Sequence, residues 1–413
     1  MNSNSTNTRE PARIWIGALA FLLPFLSLVT PFGVSLVSFL FLISAVVLFR
    51  PARDAFRRHW PQVRWVVLAF TLYFLFVLAC ALLRGASMGP VEKPARMFLA
   101  VSALALVLAL RPPRAVLWWG AAAGAAAALP LIAWQRLGLG IERPGGLINA
   151  ITFGDLALLL GLLALVGAFD LRDRPRLALL AGAGALCGCA ASFMTGSRGG
   201  WLALVLMLPV LLPRLRDLGV RRLGGVLGAG ALLLALVWFA PGLGLHARFV
   251  EAVDEARGWQ AGGNVWTNVG TRLELWKGAV MLVEEKPLLG RDFEAARARL
   301  AQYAREGKLD PMVLELPHLH NDGLQALATG GVAGFVLWAA ILATPLAFFL
   351  RRLGRDARAP QFAVALAGVL VVLGYIGFGL TEVIFWSMKG SLFYALTVFM
   401  LMGFCLNAKE KIG

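Results

Sequence analysis

Residues 14–31, IWIGALAFLLPFLSLVTP, run directly into residues 32–49, FGVSLVSFLFLISAVVLF, and no charged side chain interrupts the pair. Each half approaches the ~20 apolar residues that a helix needs to cross a bilayer. Lipid leaves a backbone only two options, helices or a closed barrel. These runs are continuous in apolar character and lack the period-two alternation of a barrel strand. They read as two membrane helices. No small-residue cleavage site stands out behind the polar start MNSNSTNTREPAR, so the first helix is expected to remain as an uncleaved span.

Extending that reading outward gives further spans near 65–83, 97–110, 115–134, 151–169, 177–195, 201–213, 223–240, 323–350, 361–380 and 386–406. The expected fold class is an all-α polytopic membrane protein with about 12 transmembrane helices. Composition agrees, with 59% hydrophobic residues, 15% charged residues and a mean hydropathy of +0.75. A soluble domain carries about 25% charged and about 45–50% apolar residues. The four cysteines, Cys80, Cys187, Cys189 and Cys405, fall in apolar runs with no zinc-type spacing, so neither a disulfide framework nor a zinc site is expected.

Basic residues set the sidedness. One set of short segments (the N-terminus, 50–64, 111–114, 170–176, 214–222, 351–358 and the C-terminus) holds 22 Lys and Arg, and the opposite set (84–96, 135–150, 196–200 and 381–389) holds 7. Both termini are therefore expected in the cytoplasm of a bacterial inner membrane. The same bias accounts for the net charge of +16, and no nucleic-acid binding is implied.

Residues 241–322 interrupt the pattern. The stretch 241–319 carries 10 basic and 11 acidic residues, too many for a span and too long for a structureless connection. The expected organisation is residues 1–240 as spans one to nine, 241–322 as an external helical lobe, and 323–413 as spans ten to twelve. In the lobe, Thr271-Arg272-Leu273-Glu274 has the pattern of a capping box, with Thr271 as N-cap. Leu273, Trp276, Val280 and Val283 follow at helical spacing, and Pro287 and Gly290 end the run. Asp292 is expected to cap a second helix over 293–306, with Phe293, Leu300 and Tyr303 or Ala304 as its apolar side.

Three polar groups on the external side carry candidate chemistry. His318 and His320 stand in PHLHNDGLQALATGGVAGF, where the lobe enters span ten. With a helix starting near His320, Leu324, Leu327, Gly331 and Gly334 share its face, and the two glycines would let another helix approach closely. An imidazole titrates near neutral pH and suits a general base for a hydroxyl. A metal site would need more ligands than the histidines offer, and only Asp322 and Glu315 are near in sequence. Arg198 is the single charge in the tight turn Thr195-Gly196-Ser197-Arg198-Gly199-Gly200, where open amides and a guanidinium suit phosphate oxygens. Arg272, at the first position of the helix expected after Thr271, would sit beside unpaired amides at a positive dipole end, a phosphate site in form. There is no Walker A, no dinucleotide fingerprint and no external Asp-x-Asp for a divalent ion on a diphosphate, so no cofactor and no metal are expected.

These segments together resemble a known superfamily. His320-Asn321, nine residues, then Gly331-x-x-Gly334 is similar to the histidine motif of bacterial O-antigen ligases. Thr195-Gly196-Ser197-Arg198-Gly199 and Arg272-x-x-x-Trp276 with Pro287-Leu288-Leu289-Gly290 resemble the two arginine-bearing segments of that superfamily, and Arg143-Pro144-Gly145-Gly146 with Asn149 resembles a less diagnostic loop. The resemblance implies a C-type membrane glycosyltransferase fold. It implies inverting, metal-independent transfer of O-antigen from undecaprenyl diphosphate to a sugar hydroxyl of lipid A–core at the periplasmic face. It also implies roles: His320 as general base, Arg198 and Arg272 on the diphosphate, and His318, Asn321, Ser197, Trp276, Arg143 and Asn149 as candidate supporting residues. O-antigen polymerases and protein O-oligosaccharyltransferases share the donor and are the alternatives within the superfamily. A lipid-linked-anion transporter would show inverted repeats, and none is visible. A structural membrane partner would not cluster polar residues on one face.

Overall fold

The computed structural model describes residues 9–197, 199–215, 245–354 and 356–409. It is helical, with no strand among the described residues. In chain order the membrane helices are α1 (Arg9–Val29), α2 (Gly33–Val47), α3 (Phe49–Arg84), α4 (Gly89–Leu99), α5 (Val101–Leu110), α6 (Ala115–Ala133), α7 (Ala150–Asp170), α8 (Pro175–Met194) and α9 (Gly199–Leu215). Lobe helices α10 (Leu245–Gln260), α11 (Asn268–Glu285) and α12 (Phe293–Arg305) follow, then α13 (Asp322–Leu350), α14 (Phe362–Gly379) and α15 (Met388–Lys409). Nine described spans are long and apolar enough to cross a membrane, α4 and α5 jointly making one of them, and α2 and α9 supply shorter apolar helices. Eleven of the twelve expected spans thus coincide with described helices, and the ninth, 223–240, lies outside the described residues. The protein is a multi-pass membrane protein.

Three helices depart from the expected spans. Helix α3 begins at Phe49, far ahead of residue 65. Arginines favour helix nearly as well as leucine, so Arg50, Arg53, Arg57 and Arg58 extend the helix where apolarity alone would end it. The span expected at 97–110 begins at Gly89, with proline at the helix start, and is interrupted at Ala100. Helix α13 is broken at Gly331.

The chain divides into two compact units, residues 1–206 with 336–413, and residues 207–335. In the first, small residues set the spacing. A Cβ on Gly188 of α8 would meet the Gly161 Cα of α7 at 2.6 Å and the Ala157 carbonyl oxygen at 2.7 Å, so the two backbones touch, as membrane helices do when dispersion alone draws them together. Two of the polar groups inside bond to distant backbone: Tyr394 donates to the Ile341 carbonyl at 2.8 Å and Asn407 to the Val107 carbonyl at 2.8 Å. Where α6 begins and α7 ends, Arg114 forks onto Asp170 with two 2.7 Å bonds, and Trp118 adds a third bond to the same carboxylate at 2.9 Å.

In the second unit, Leu275, Ala279 and Leu282 of α11 pack against Ala296, Leu300 and Tyr303 of α12 and against Leu309, Val313 and Leu319 beyond. The buried stripe of α11 is therefore 275, 279 and 282. The expected stripe of Leu273, Trp276, Val280 and Val283 is off by about one position, and Val280 is exposed. Buried Glu274 is the polar centre of the lobe, accepting from Trp259 of α10 at 2.8 Å and from the Asp310 amide at 2.9 Å. Asp292 caps α12 as expected, its carboxylate accepting from the Ala295 amide at 2.9 Å.

Candidate active site

The histidine segment is built on Leu319. Its amide donates to Gln325 Oε1 at 3.1 Å, its carbonyl accepts from Trp276 Nε1 at 3.0 Å, and its side chain is buried in the lobe core. Pinning that residue at three points leaves His318 and His320 on either side of it. Their rings meet edge to face with centroids 4.4 Å apart, and both are half-buried. His320 has φ +50°, a left-handed backbone that costs a non-glycine residue roughly 1–2 kcal/mol. Such strain persists only where surrounding contacts over-determine it, and it gathers at functional sites.

Two expectations about this segment are corrected. His320 does not open the helix: α13 starts at Asp322, and Asn321 caps it by accepting from the Leu324 amide at 2.9 Å. The oxygen of Asn321 is thereby committed to structure. Gly331 does not continue a helix face either. It has φ +62° and ψ −166°, a conformation essentially restricted to glycine. The break frees amides that the Pro287–Gly290 loop then satisfies: Val332 donates to the Pro287 carbonyl at 2.8 Å and Ala333 to the Leu288 carbonyl at 3.1 Å. A Cβ on Gly290 would meet the Gly331 amide nitrogen at 2.5 Å, and one on Gly331 would strike the Leu288 carbonyl. The close partner of Gly331 is therefore this loop and not another membrane helix. Gly334 is buried.

Arg272 also sits differently from the expectation. The N-cap of α11 is Thr267, whose hydroxyl accepts from the Gly270 amide at 3.0 Å, and Glu255 of α10 accepts from the Val269 amide at 2.8 Å. Thr271 lies inside the helix and donates to the Val265 carbonyl. Glu274 turns into the core instead of back to a cap. The Val269, Gly270 and Thr271 amides are thus occupied, which removes most of the free donors that would make this terminus an anion site. Arg272 stands in the second turn, half-buried, with Nη1 on the Asn268 carbonyl at 2.8 Å. Four residues on, Trp276 shares its face of α11 and holds the histidine segment through Leu319.

The other arginine segment and its companion loop belong to the first unit. Arg198 lies outside the described residues. Around it, Thr195 is fully buried, donates to the Ser192 carbonyl at 2.7 Å and accepts from the amide of buried Ser197 at 3.1 Å. Gly154 of α7 packs directly on Thr195, and Gly200 packs on the Asp155 carboxylate and Phe378. The turn is thus seated on α7 and α14. Arg143 is exposed. Asn149 is the N-cap of α7, accepting from the Ile151 amide at 2.7 Å, which gives it a structural task. Gln135 holds the intervening loop by exchanging two hydrogen bonds with the backbone of Gly146, at 3.0 and 2.8 Å.

Sequence reading passed over Asp155, Glu382 and Lys389, which are 1%, 3% and 6% exposed. Both carboxylate oxygens of Asp155 are buried without a hydrogen-bond partner among the described residues. A signal existed: Asp155 is the one charge within 151–169, and an ionisable residue inside a span is a functional candidate by default.

The fold defines an all-helical, multi-pass membrane protein. Comparison with known proteins narrows it: residues 183–339 match the family model described as O-antigen ligase (Wzy_C), and over that segment the chain carries the domain of the O-antigen ligase family. The segment runs from α8 into α13 and contains Arg198, Arg272, Trp276 and His320. A protein of Haemophilus influenzae named "Uncharacterized protein" is 20% identical over 332 residues, 80% of this chain and 83% of that one.

Proposed function

We propose that the chain is a glycosyltransferase that moves O-antigen polysaccharide from undecaprenyl diphosphate to a sugar hydroxyl of lipid A–core. The lobe faces the periplasm and both termini face the cytoplasm, in accord with the 22-to-7 distribution of basic residues. His320 takes the proton of the acceptor hydroxyl. The freed oxygen attacks the anomeric carbon, the bond to the diphosphate breaks on the opposite face of the ring, and the configuration inverts. The diphosphate leaves with the bonding electron pair, and Arg198 and Arg272 meet its growing charge where water is excluded. No metal is required in this scheme, since guanidinium groups bind phosphate oxygens bidentately.

The observation that carries this reading is the Trp276–Leu319 hydrogen bond. It ties the helix bearing Arg272 to the strained residue His320, coupling an anion-binding group to a base. His320→Ala should lower transfer by about 10²–10⁴-fold while the purified protein keeps its elution profile and its affinity for the carrier-linked glycan. His318→Ala should cost less. Wild-type rates in both variants would remove histidine from the mechanism.

A further inference from the structure

The lobe and its arginines leave unexplained a second cationic feature, at the end of the membrane unit where α4 and α15 begin. Lys389 is the second residue of α15, is 6% exposed, and donates to the Thr30 carbonyl at 2.7 Å in the turn between α1 and α2. Lys93 of α4 is half-buried and holds its ammonium 4.5 Å from the centre of the Trp386 ring, one turn before Lys389. Helices α4 and α15 pack together. Neither lysine forms an ion pair among the described residues. Glu92, the acid next to Lys93, is taken by Arg96 at 2.6 Å.

Three terms oppose a cation at Lys389. Removing an ammonium from water costs several kcal/mol unless it is compensated, and one carbonyl satisfies only one of its three donors. The start of a helix is the positive end of its dipole, where a cation is disfavoured. The two lysines also fall on the side that the proposed topology leaves poor in basic residues, a point that rests on the sidedness given above. An anion reverses all three. Trp386 adds the position: a tryptophan beside lysine is characteristic of the membrane–water interface, where the anions present are lipid phosphates. Lys93 is open enough to be reached, and its contact with the indole ring holds it ready.

We infer that Lys93, Trp386 and Lys389 form a binding site for the phosphate group of a membrane lipid, separate from the arginines assigned to the leaving diphosphate. The phosphate belongs to a bulk phospholipid, to the glycolipid acceptor or to the polyprenyl carrier, and one experiment sorts these. The purified full-length protein is titrated in neutral detergent, by native mass spectrometry, with phosphatidylglycerol, rough lipopolysaccharide, undecaprenyl phosphate and an uncharged glycosyl diacylglycerol in separate arms. Lys93→Gln, on a half-exposed residue outside the core, should weaken at least one phosphate lipid about fivefold, the effect of one basic residue near an anionic lipid surface. Lys93→Arg should restore it, and the uncharged lipid should not respond. The arm that responds names the source. Unchanged affinity for all three phosphate lipids in Lys93→Gln, or an equal loss for the uncharged lipid, would overturn the assignment. Glycan transfer is not read in any arm, so failure here leaves the proposed reaction standing, and failure of the reaction leaves this site standing.

Discussion

The membrane helices and the lobe are both helical, yet they cohere in different ways. Helices α7 and α8 meet through glycine and alanine, backbone against backbone, because lipid offers no hydrophobic drive for association. The lobe is built as soluble domains are, with a leucine-rich core between α11 and α12 and a rim of charge. At that rim Glu285 accepts from Arg291, Arg299 and Tyr303. The contrast teaches where a single atom matters. At the α7–α8 contact an added methyl group has nowhere to go, whereas at the lobe rim a lost bond is partly replaced by solvent.

The largest effect is therefore expected from Gly188→Leu. Its Cβ would meet backbone atoms of α7 at 2.6 and 2.7 Å, so the helices must part, at a cost of about 3 kcal/mol or more. Size-exclusion profiles should show the folded species lost, and a wild-type profile would mean that the helices do not touch there. Next comes Gly331→Ala, which forces an alanine into a glycine-only conformation for about 1–3 kcal/mol and strikes the Leu288 carbonyl. Thermal unfolding should shift down and transfer should fall with it, because the clasp with Pro287–Gly290 fixes the entry to the His320 segment. Thr267→Ala should cost about 1 kcal/mol as the loss of an N-cap, and Thr271→Ala less. The reverse order would restore Thr271 as the cap.

The smallest effect concerns pH. The hydrogen bond from Arg299, then that from Tyr303, holds the Glu285 carboxyl down to about 2, against an ordinary value of 4.5. A depressed carboxylate stabilises the fold above its unfolded value, and that contribution is lost as pH falls from about 4.5 through about 2. Lobe protection in hydrogen exchange should weaken across this window, and Tyr303→Phe should shrink the change. The side chain of Glu285 is 31% exposed, so screening keeps the effect modest.

Much of this was legible in the chain. Apolar runs marked eleven spans that coincide with described helices, because burial in lipid is a property of composition over some twenty residues. Asp292 was legible as a cap because its bond is local. Thr267 was not, since Thr271 with Glu274 is the better local pattern, and the choice is made by Glu255 on another helix and by Glu274 turning to Trp259. Gly331 was read as a packing residue, and its true partner is forty residues away in sequence, in the loop ending at Gly290. The histidine segment was legible as a candidate, while the left-handed turn at His320 and the indole bond to Leu319 beside it depend on the folded lobe. Arg198 lies outside the described residues, and the role proposed for it rests on the sequence resemblance.

The most direct test is transfer itself. Purified protein is mixed with undecaprenyl-diphosphate-linked glycan and rough lipopolysaccharide, and the products are resolved on a gel beside a His320→Ala control. The expected result is a larger lipopolysaccharide that requires both substrates and His320, with no lengthening of the donor supplied alone and no change on adding a chelator. Donor glycan that lengthens without lipopolysaccharide, leaving the core unsubstituted, would contradict the ligase reaction and make chain growth the activity of this site.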